Sequence, residues 1–137
     1  MVCIISCAPK APEVPARSAL FTETYRAGLD LLERHRLLAA ERAFKRCVAL
    51  VPEAYEGHWQ LGRLRLLQGR IDEGIEGLVR ALELNAQLDS ARELMLETFL
   101  GRGREALEEG KYAQAQAYFA RALAVDRNGY EPLYQSA

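Results

Sequence analysis

This sequence of 137 residues lacks several features that mark other classes of protein. Its formal net charge is -1, so the chain as a whole has no electrostatic bias towards nucleic acid or anionic lipid. Valine, isoleucine and threonine are sparse, and no stretch alternates apolar with polar residues, so a β-sheet has little to build from. No apolar run is long enough to cross a membrane as a helix.

Cysteine and histidine are also scarce, which argues against a disulfide framework and a zinc site. Cys3 and Cys7 lie in an irregular start, and Cys47 falls in a helical pattern where a small buried side chain is expected. His35 is predicted in a solvated turn and His58 in a structural position. Glycine-rich phosphate loops, nucleophile elbows and metalloprotease histidine pairs are absent. We therefore predict no catalytic residues, no metal and no cofactor.

What the sequence does contain is helix-forming residues after a proline-rich start. Alanine, leucine, glutamate and arginine dominate, and the helical pattern runs from about Ser18 to about Asp126. Pro9, Pro12 and Pro15 fall three residues apart before it. This spacing predicts an extended tether over residues 1–17, followed by one helical domain over residues 18–137.

Three segments of the chain share one pattern: residues 21–54, 55–88 and 96–129. The first helix of each segment carries a glycine, and the second carries a small, a large and a small residue at positions i, i+4 and i+7, which share one helix face. Small residues allow the paired helices to approach closely. We predict a structural role for Gly28, Ala40, Phe44, Gly62, Gly74, Leu78, Ala81, Gly103, Ala115, Phe119 and Ala122. Cys47 takes the third place of the first segment.

The repeat period and its motifs resemble those of the tetratricopeptide family. The first two segments are each 34 residues long, which is the period of that family. The run from Gln68 to Asn85 is similar to the second half of the family consensus, and the run from Glu109 to Asp126 repeats it. The resemblance implies an all-α fold, a right-handed superhelical solenoid of about three helix-turn-helix units. Residues 89–95 do not fit the period and are predicted to lengthen one helix to residues 89–109.

The resemblance also implies a concave surface, lined by the first helix of each unit, that binds a protein or peptide partner. The groove residues it indicates are Tyr25, Leu29, Trp59, Arg63, Leu66, Leu100 and Arg104. Two arginines on an apolar groove suit a peptide that carries a carboxylate. The alternative is that Trp59 and the leucines belong to the core of the repeats. Leu29 and Gln60 replace the asparagines of the chaperone-tail clamp found in some relatives, so that ligand is not expected.

Two further surfaces bear on partners. The basic residues between Arg34 and Arg46 are expected to form a solvated helix surface, and no nucleic-acid partner is predicted. At the other end, residues 130–137 resemble the opening of one more helix. One possibility is a partial cap on the last repeat, formed by Tyr130, Leu133 and Tyr134. The alternative is that the exposed face pairs with a second chain to form a homodimer.

The N-terminal run Ile4-Ile5-Ser6-Cys7 resembles a bacterial lipoprotein processing site, with Cys7 as the lipidated residue. Met1 to Ser6 is too short to be a signal peptide, so this interpretation requires a start further upstream. We expect an adaptor or assembly factor, lipid-anchored in a bacterial cell envelope if the start is truncated and cytoplasmic otherwise. A cytoplasmic chaperone-like protein and a non-catalytic regulatory fragment of a larger enzyme are the alternatives.

Overall fold

The structure, a computed structural model, describes residues 13–128 of the chain and the side chains of residues 18–126. This part of the chain consists of six helices joined by short turns. They are α1 (Glu13–Glu33), α2 (Leu37–Leu50), α3 (Tyr55–Leu67), α4 (Ile71–Leu84), α5 (Asp89–Glu108) and α6 (Tyr112–Asn128). None of them is long and apolar enough to cross a membrane. The prediction of an all-α fold is confirmed.

The turns inside the three helical hairpins have the same backbone geometry. Each contains one residue in the left-handed region: His35 with φ 59°, Gly69 with φ 80° and Gly110 with φ 76°. In each turn the next residue donates its amide to the carbonyl five positions back, over 2.8 Å for Arg36, 2.9 Å for Arg70 and 2.8 Å for Lys111. This is the Schellman motif, in which glycine is preferred because it carries no Cβ. In the first turn, His35 takes this left-handed position in place of glycine.

Glycine on one helix faces an aromatic ring on the next in two of the hairpins. A Cβ added to Gly28 of α1 would lie 2.6 Å from Cε1 of Phe44 on α2. The corresponding distance from Gly103 of α5 to Phe119 on α6 is 2.5 Å. Phe44 is fully buried and Phe119 is half-buried. The predicted spacing of small and large residues therefore produces close helix contacts.

In the hairpin of α3 and α4, two backbones meet directly. A Cβ added to Gly62 would lie 2.9 Å from the carbonyl oxygen of Gly74, and one added to Gly77 would lie 2.8 Å from the Cα of Gly62. Leu78 occupies the position of the phenylalanines and is fully buried. Glycine at these positions is required by the approach of the helices and not by the backbone angles, which are helical.

The chain divides into two compact units, Met1–Gly57 and His58–Ala137. In the first, α1 and α2 bury Ala40, Phe44 and Cys47. In the second, one core cluster joins three helices through eight buried residues. They are Leu78, Val79 and Leu82 of α4, Ala91, Met95 and Phe99 of α5, and Ala122 and Val125 of α6.

Helix α5 is longer than α3 by seven residues, with 20 residues against 13. Seven residues make about two helical turns, so the insertion keeps the apolar face in phase. The added turns contribute Ala91 and Met95 to the core cluster, one turn apart and in line with Phe99. The extra segment is therefore part of the packed structure.

Two predicted boundaries differ from the structure. Helix α1 begins at Glu13 and not near Ser18, so the predicted tether is wrong over residues 13–17. Pro15 did not prevent this, because a proline in the first turn costs no intrahelical hydrogen bond. Helix α5 ends at Glu108, one residue before the predicted end. Residues 1–12 and 129–137, with Cys7, Tyr130, Leu133 and Tyr134, lie outside the described residues.

Candidate peptide-binding surface

In the first unit, the predicted groove residues pack within the hairpin. Tyr25 stacks on Phe21 with 5.9 Å between ring centroids and meets Phe44 edge-on, also at 5.9 Å. Tyr25 and Leu29 are both half-buried. Part of each side chain is left accessible, but Tyr25 is held by other rings of its own unit.

In the second unit, Arg63 of α3 is fixed by two neighbours on the same helix. Its Cζ lies 5.2 Å from the centroid of the Trp59 ring, a cation–π contact. Its Nη1 donates a hydrogen bond of 2.8 Å to Oε1 of Gln60. Gln60 is 6% exposed, whereas Arg63 is half-buried. A buried amide and an aromatic face thus hold a guanidinium that still reaches the surface.

Three apolar groove residues contact the core of the second unit. Trp59, Leu66 and Leu100 are half-buried and pack against the core cluster. Leu66 also covers Gly74, where an added Cβ would lie 2.6 Å from its Cδ2. These side chains shape the surface, but part of each belongs to the core, as the alternative interpretation of the sequence expected.

Of the predicted groove residues in the second unit, Arg104 is exposed, and two leucines outside the predicted set, Leu67 and Leu107, are exposed on the same two helices. Arg104 lies on α5 at the position that Arg63 takes on α3, and it has no ion pair among the described residues. Leu67 and Leu107, near the ends of α3 and α5, are 67% and 45% exposed. The second unit therefore presents two arginines and two accessible leucines on its first helices.

Comparison with known proteins identifies the family. A family model described as tetratricopeptide repeat matches residues 25–94 and 100–137, which is more than half of the chain. The chain belongs to the tetratricopeptide repeat family. Tetratricopeptide repeat protein 14 of Mus musculus is 26% identical over 99 residues, which are 72% of this chain. The chain spans only 13% of the length of that mouse protein.

Solved structures of similar fold include two of MamA. The crystal structure of MamA matches with a TM-score of 0.52 and 18% identity, covering 85% of this chain and 70% of that one. A MamA fragment from Desulfovibrio magneticus RS-1 matches with a TM-score of 0.50 and 17% identity, covering 87% and 69%. At these identities the likeness concerns the fold alone.

One member of this tetratricopeptide surface was not among the predicted site residues. Gln60 was considered only as a departure from a chaperone clamp, yet its buried amide accepts the hydrogen bond that orients Arg63. Positions 60 and 63 are one turn apart on one helix, so the spacing could have indicated the contact. Among the described residues no group of three or more metal-ligating side chains comes together.

Proposed function

We propose that this tetratricopeptide chain is an adaptor or assembly factor that binds a carboxylate-bearing segment of a partner protein on helices α3 and α5. The observation that carries the proposal is Arg63, held over Trp59 and bonded to Gln60 while still half-exposed. Arginine side chains lose conformational entropy when they bind. Because Trp59 and Gln60 already hold Arg63 in the folded protein, its side chain loses less conformational entropy when a ligand binds.

The chemistry of this surface favours a carboxylate. One donor of Arg63 is used by Gln60, which leaves other donors of the planar fork for two parallel hydrogen bonds to a carboxylate. Arg104 supplies a second guanidinium at the equivalent position of α5. Leu67 and Leu107 offer apolar contacts beside them. Arginine and tryptophan are among the residues that most often dominate binding at protein interfaces, which fits Arg63 and Trp59.

The test is a pull-down from the native organism with a double variant, Arg63→Gln and Arg104→Gln. Trp59 is left intact because its contact with the core cluster would make its removal destabilising. The control is Arg80→Gln with Arg102→Gln, which removes two exposed arginines of the same unit that pair with Glu83 and Glu105. We expect a partner that the parent and the control retain and the first variant loses. Retention by all three proteins would place the binding surface elsewhere.

Lipid anchoring at Cys7 is the second part of the proposal, supported by the run Ile4-Ile5-Ser6-Cys7 in the sequence. The protein would be expressed from its native gene and labelled with an alkyne fatty acid. We expect label on the parent and on Cys3→Ser, and none on Cys7→Ser. If Cys7→Ser were labelled as strongly as the parent, Cys7 would not be the lipidated residue and the cytoplasmic alternative would stand.

A further inference from the structure

A small pocket in the second unit is lined by residues of α4, α5 and α6 and includes none of the residues proposed to bind a carboxylate. Its volume is about 220 Å³. Its apolar lining includes Ile71 and Ile75 of α4, which are half-buried, together with Val79 of α4 and Phe99 of α5. Val79 and Phe99 are almost fully buried in the core cluster, so the accessible apolar surface of the pocket is that of Ile71 and Ile75. This volume is below the roughly 300–1,000 Å³ of small-molecule sites and suits a single side chain.

The walls of this pocket carry charges of opposite sign. Asp72 and Glu76 lie one turn apart on α4, and both are exposed. Arg121 of α6 lies opposite, with its Cζ 6.0 Å from the centroid of the Phe99 ring. None of the three has an ion pair among the described residues.

The other charges of α4 are neutralised in pairs. Glu73 contacts Arg70, and Arg80 contacts Glu83 at 3.0 Å. The pocket therefore keeps two uncompensated carboxylates against one guanidinium. The guanidinium in turn lies near an aromatic ring, whereas neither carboxylate forms an ion pair within the part of the chain that the structure describes. The net charge around the opening is negative, which favours a cationic occupant.

We propose that this pocket binds a lysine or arginine side chain of a partner protein, at a site separate from the Arg63 surface. The methylene stem would lie on Ile71 and Ile75, since long basic side chains bury their stems on apolar surface and keep the head in water. The charged head would lie between Asp72 and Glu76. Repulsion from Arg121 directs it to the acidic wall.

The test uses a lysine probe and its neutral counterpart in a nuclear magnetic resonance titration. The probe is the peptide acetyl-Ala-Leu-Lys-Ala-Ala-amide, and the counterpart carries acetyl-lysine at the central position. We expect the lysine peptide to shift the amide signals of Ile75, Glu76 and Val79, and the counterpart to bind about fivefold more weakly, since exposed ion pairs contribute little each. No shift at about 10 mM peptide, or equal binding of both peptides, would overturn the proposal.

Variants of the wall then locate the site. Glu76→Gln should weaken lysine-peptide binding by about threefold, and the double variant with Asp72→Asn should bind both peptides alike. Glu93→Gln, an exposed charge change on α5, is the matched control and should bind as the parent does. Arg63→Gln with Arg104→Gln should leave the titration unchanged, so failure of the Arg63 surface and failure of this pocket are distinguishable. An equal loss in Glu93→Gln would show that only net charge matters.

Discussion

At the scale of single residues, His35 has a conformation that its type disfavours. Its φ of 59° matches the φ values of Gly69 and Gly110 in the other two hairpins, so the shared turn geometry overrides the residue type. The left-handed region costs a residue with a Cβ about 1–2 kcal/mol relative to glycine. The first hairpin therefore keeps a strained residue where its two counterparts have none.

Replacement of His35 by glycine should relieve this strain. Glycine also raises the entropy of the unfolded chain, which offsets part of the gain. We expect His35→Gly to raise the free energy of unfolding by about 0.5–1 kcal/mol, measured by urea denaturation followed by circular dichroism. Gly110→Ala, the reverse change in the third turn, should lower it, although an added Cβ there meets nothing within 4 Å. A less stable His35→Gly protein would show that the imidazole contributes more than the strain costs.

Cys47 is a second residue whose surroundings change its chemistry. Burial raises the pKa of its thiol to about 11 from the ordinary value of 9.0, with Arg46 opposing the shift. The folded state therefore favours the protonated thiol, as expected of the small apolar core residue that the sequence predicted. In the unfolded chain the thiol ionises at lower pH. Its contribution to stability is complete below about pH 9 and is lost as the pH rises towards 11.

This linkage is measurable by comparing the parent with Cys47→Ala. The difference in their free energies of unfolding should shrink between pH 8 and pH 10.5, by on the order of 1–2 kcal/mol. The comparison cancels the titration of tyrosines and lysines, which both proteins share. A difference that stays constant over this range would mean that the folded protein lets the thiol ionise normally.

At the scale of helices, the close pairing of α3 and α4 depends on glycine. The Cβ of alanine at position 62 would approach backbone atoms of α4 to 2.9 Å, and backbone cannot rotate away as a side chain can. We expect Gly62→Ala to destabilise the protein by about 1–3 kcal/mol, in spite of alanine's higher helix propensity. Thermal and urea unfolding would measure the change.

Gly101 is the matched control for this helix pairing. It lies inside α5, and an added Cβ there meets nothing within 4 Å. Gly101→Ala should therefore stabilise the protein by about 0.5–1 kcal/mol through helix propensity alone. If Gly62→Ala and Gly101→Ala changed the free energy of unfolding in the same direction, contact between the backbones would not be the reason for glycine at position 62.

Much of this helical architecture was predictable, because the period of the repeats fixes which residues meet. The spacing of Gly28 and Phe44, repeated at Gly103 and Phe119, was enough to indicate which helix faces pair. The start of α1 was not predictable in the same way, since Pro15 is compatible both with a first turn and with a tether. The sequence predicted His35 in a turn, and His35 takes the repeat position of Gly69 and Gly110, but the residue type alone did not indicate its left-handed conformation.

The candidate sites were less predictable than the helices. The sequence placed Trp59, Arg63 and Arg104 on the first helices, but exposure depends on neighbours distant in sequence, and Trp59 packs partly on the core. The role of Gln60 depends on its burial, which its own helix does not determine. The pocket beside Arg121 depends on α6 meeting the ring of Phe99 from α5, which no local pattern reveals.

At the scale of the whole molecule, the last described helix leaves apolar positions open. Leu82 of α4 is 1% exposed because α5 covers it, whereas Leu123, its equivalent on α6, is 62% exposed. The next pair of equivalent positions differs in the same way, since Val79 of α4 is buried and Ala120 of α6 is exposed. This end of the described structure is where the sequence predicted either a partial cap or a second chain.

Pairing with a second chain predicts that Leu123→Glu disrupts a dimer. Burying a leucine contributes about 1.5–3 kcal/mol, so the dissociation constant should rise by roughly tenfold or more. Sedimentation velocity over a range of concentrations measures it. Leu38→Glu, at a leucine of α2 that is 70% exposed, is the control and should not change association. A parent that is monomeric throughout, with a Leu123→Glu variant of lower melting temperature, would instead support the cap.

The contact between Arg63 and Trp59 has a practical consequence. The chain contains a single tryptophan, so all of its indole fluorescence comes from a ring that carries the proposed ligand-binding cation on its face. A carboxylate that draws the guanidinium away from the ring would change both the charge and the water around the indole. The emission of the unlabelled protein would then report occupancy of the Arg63 surface directly.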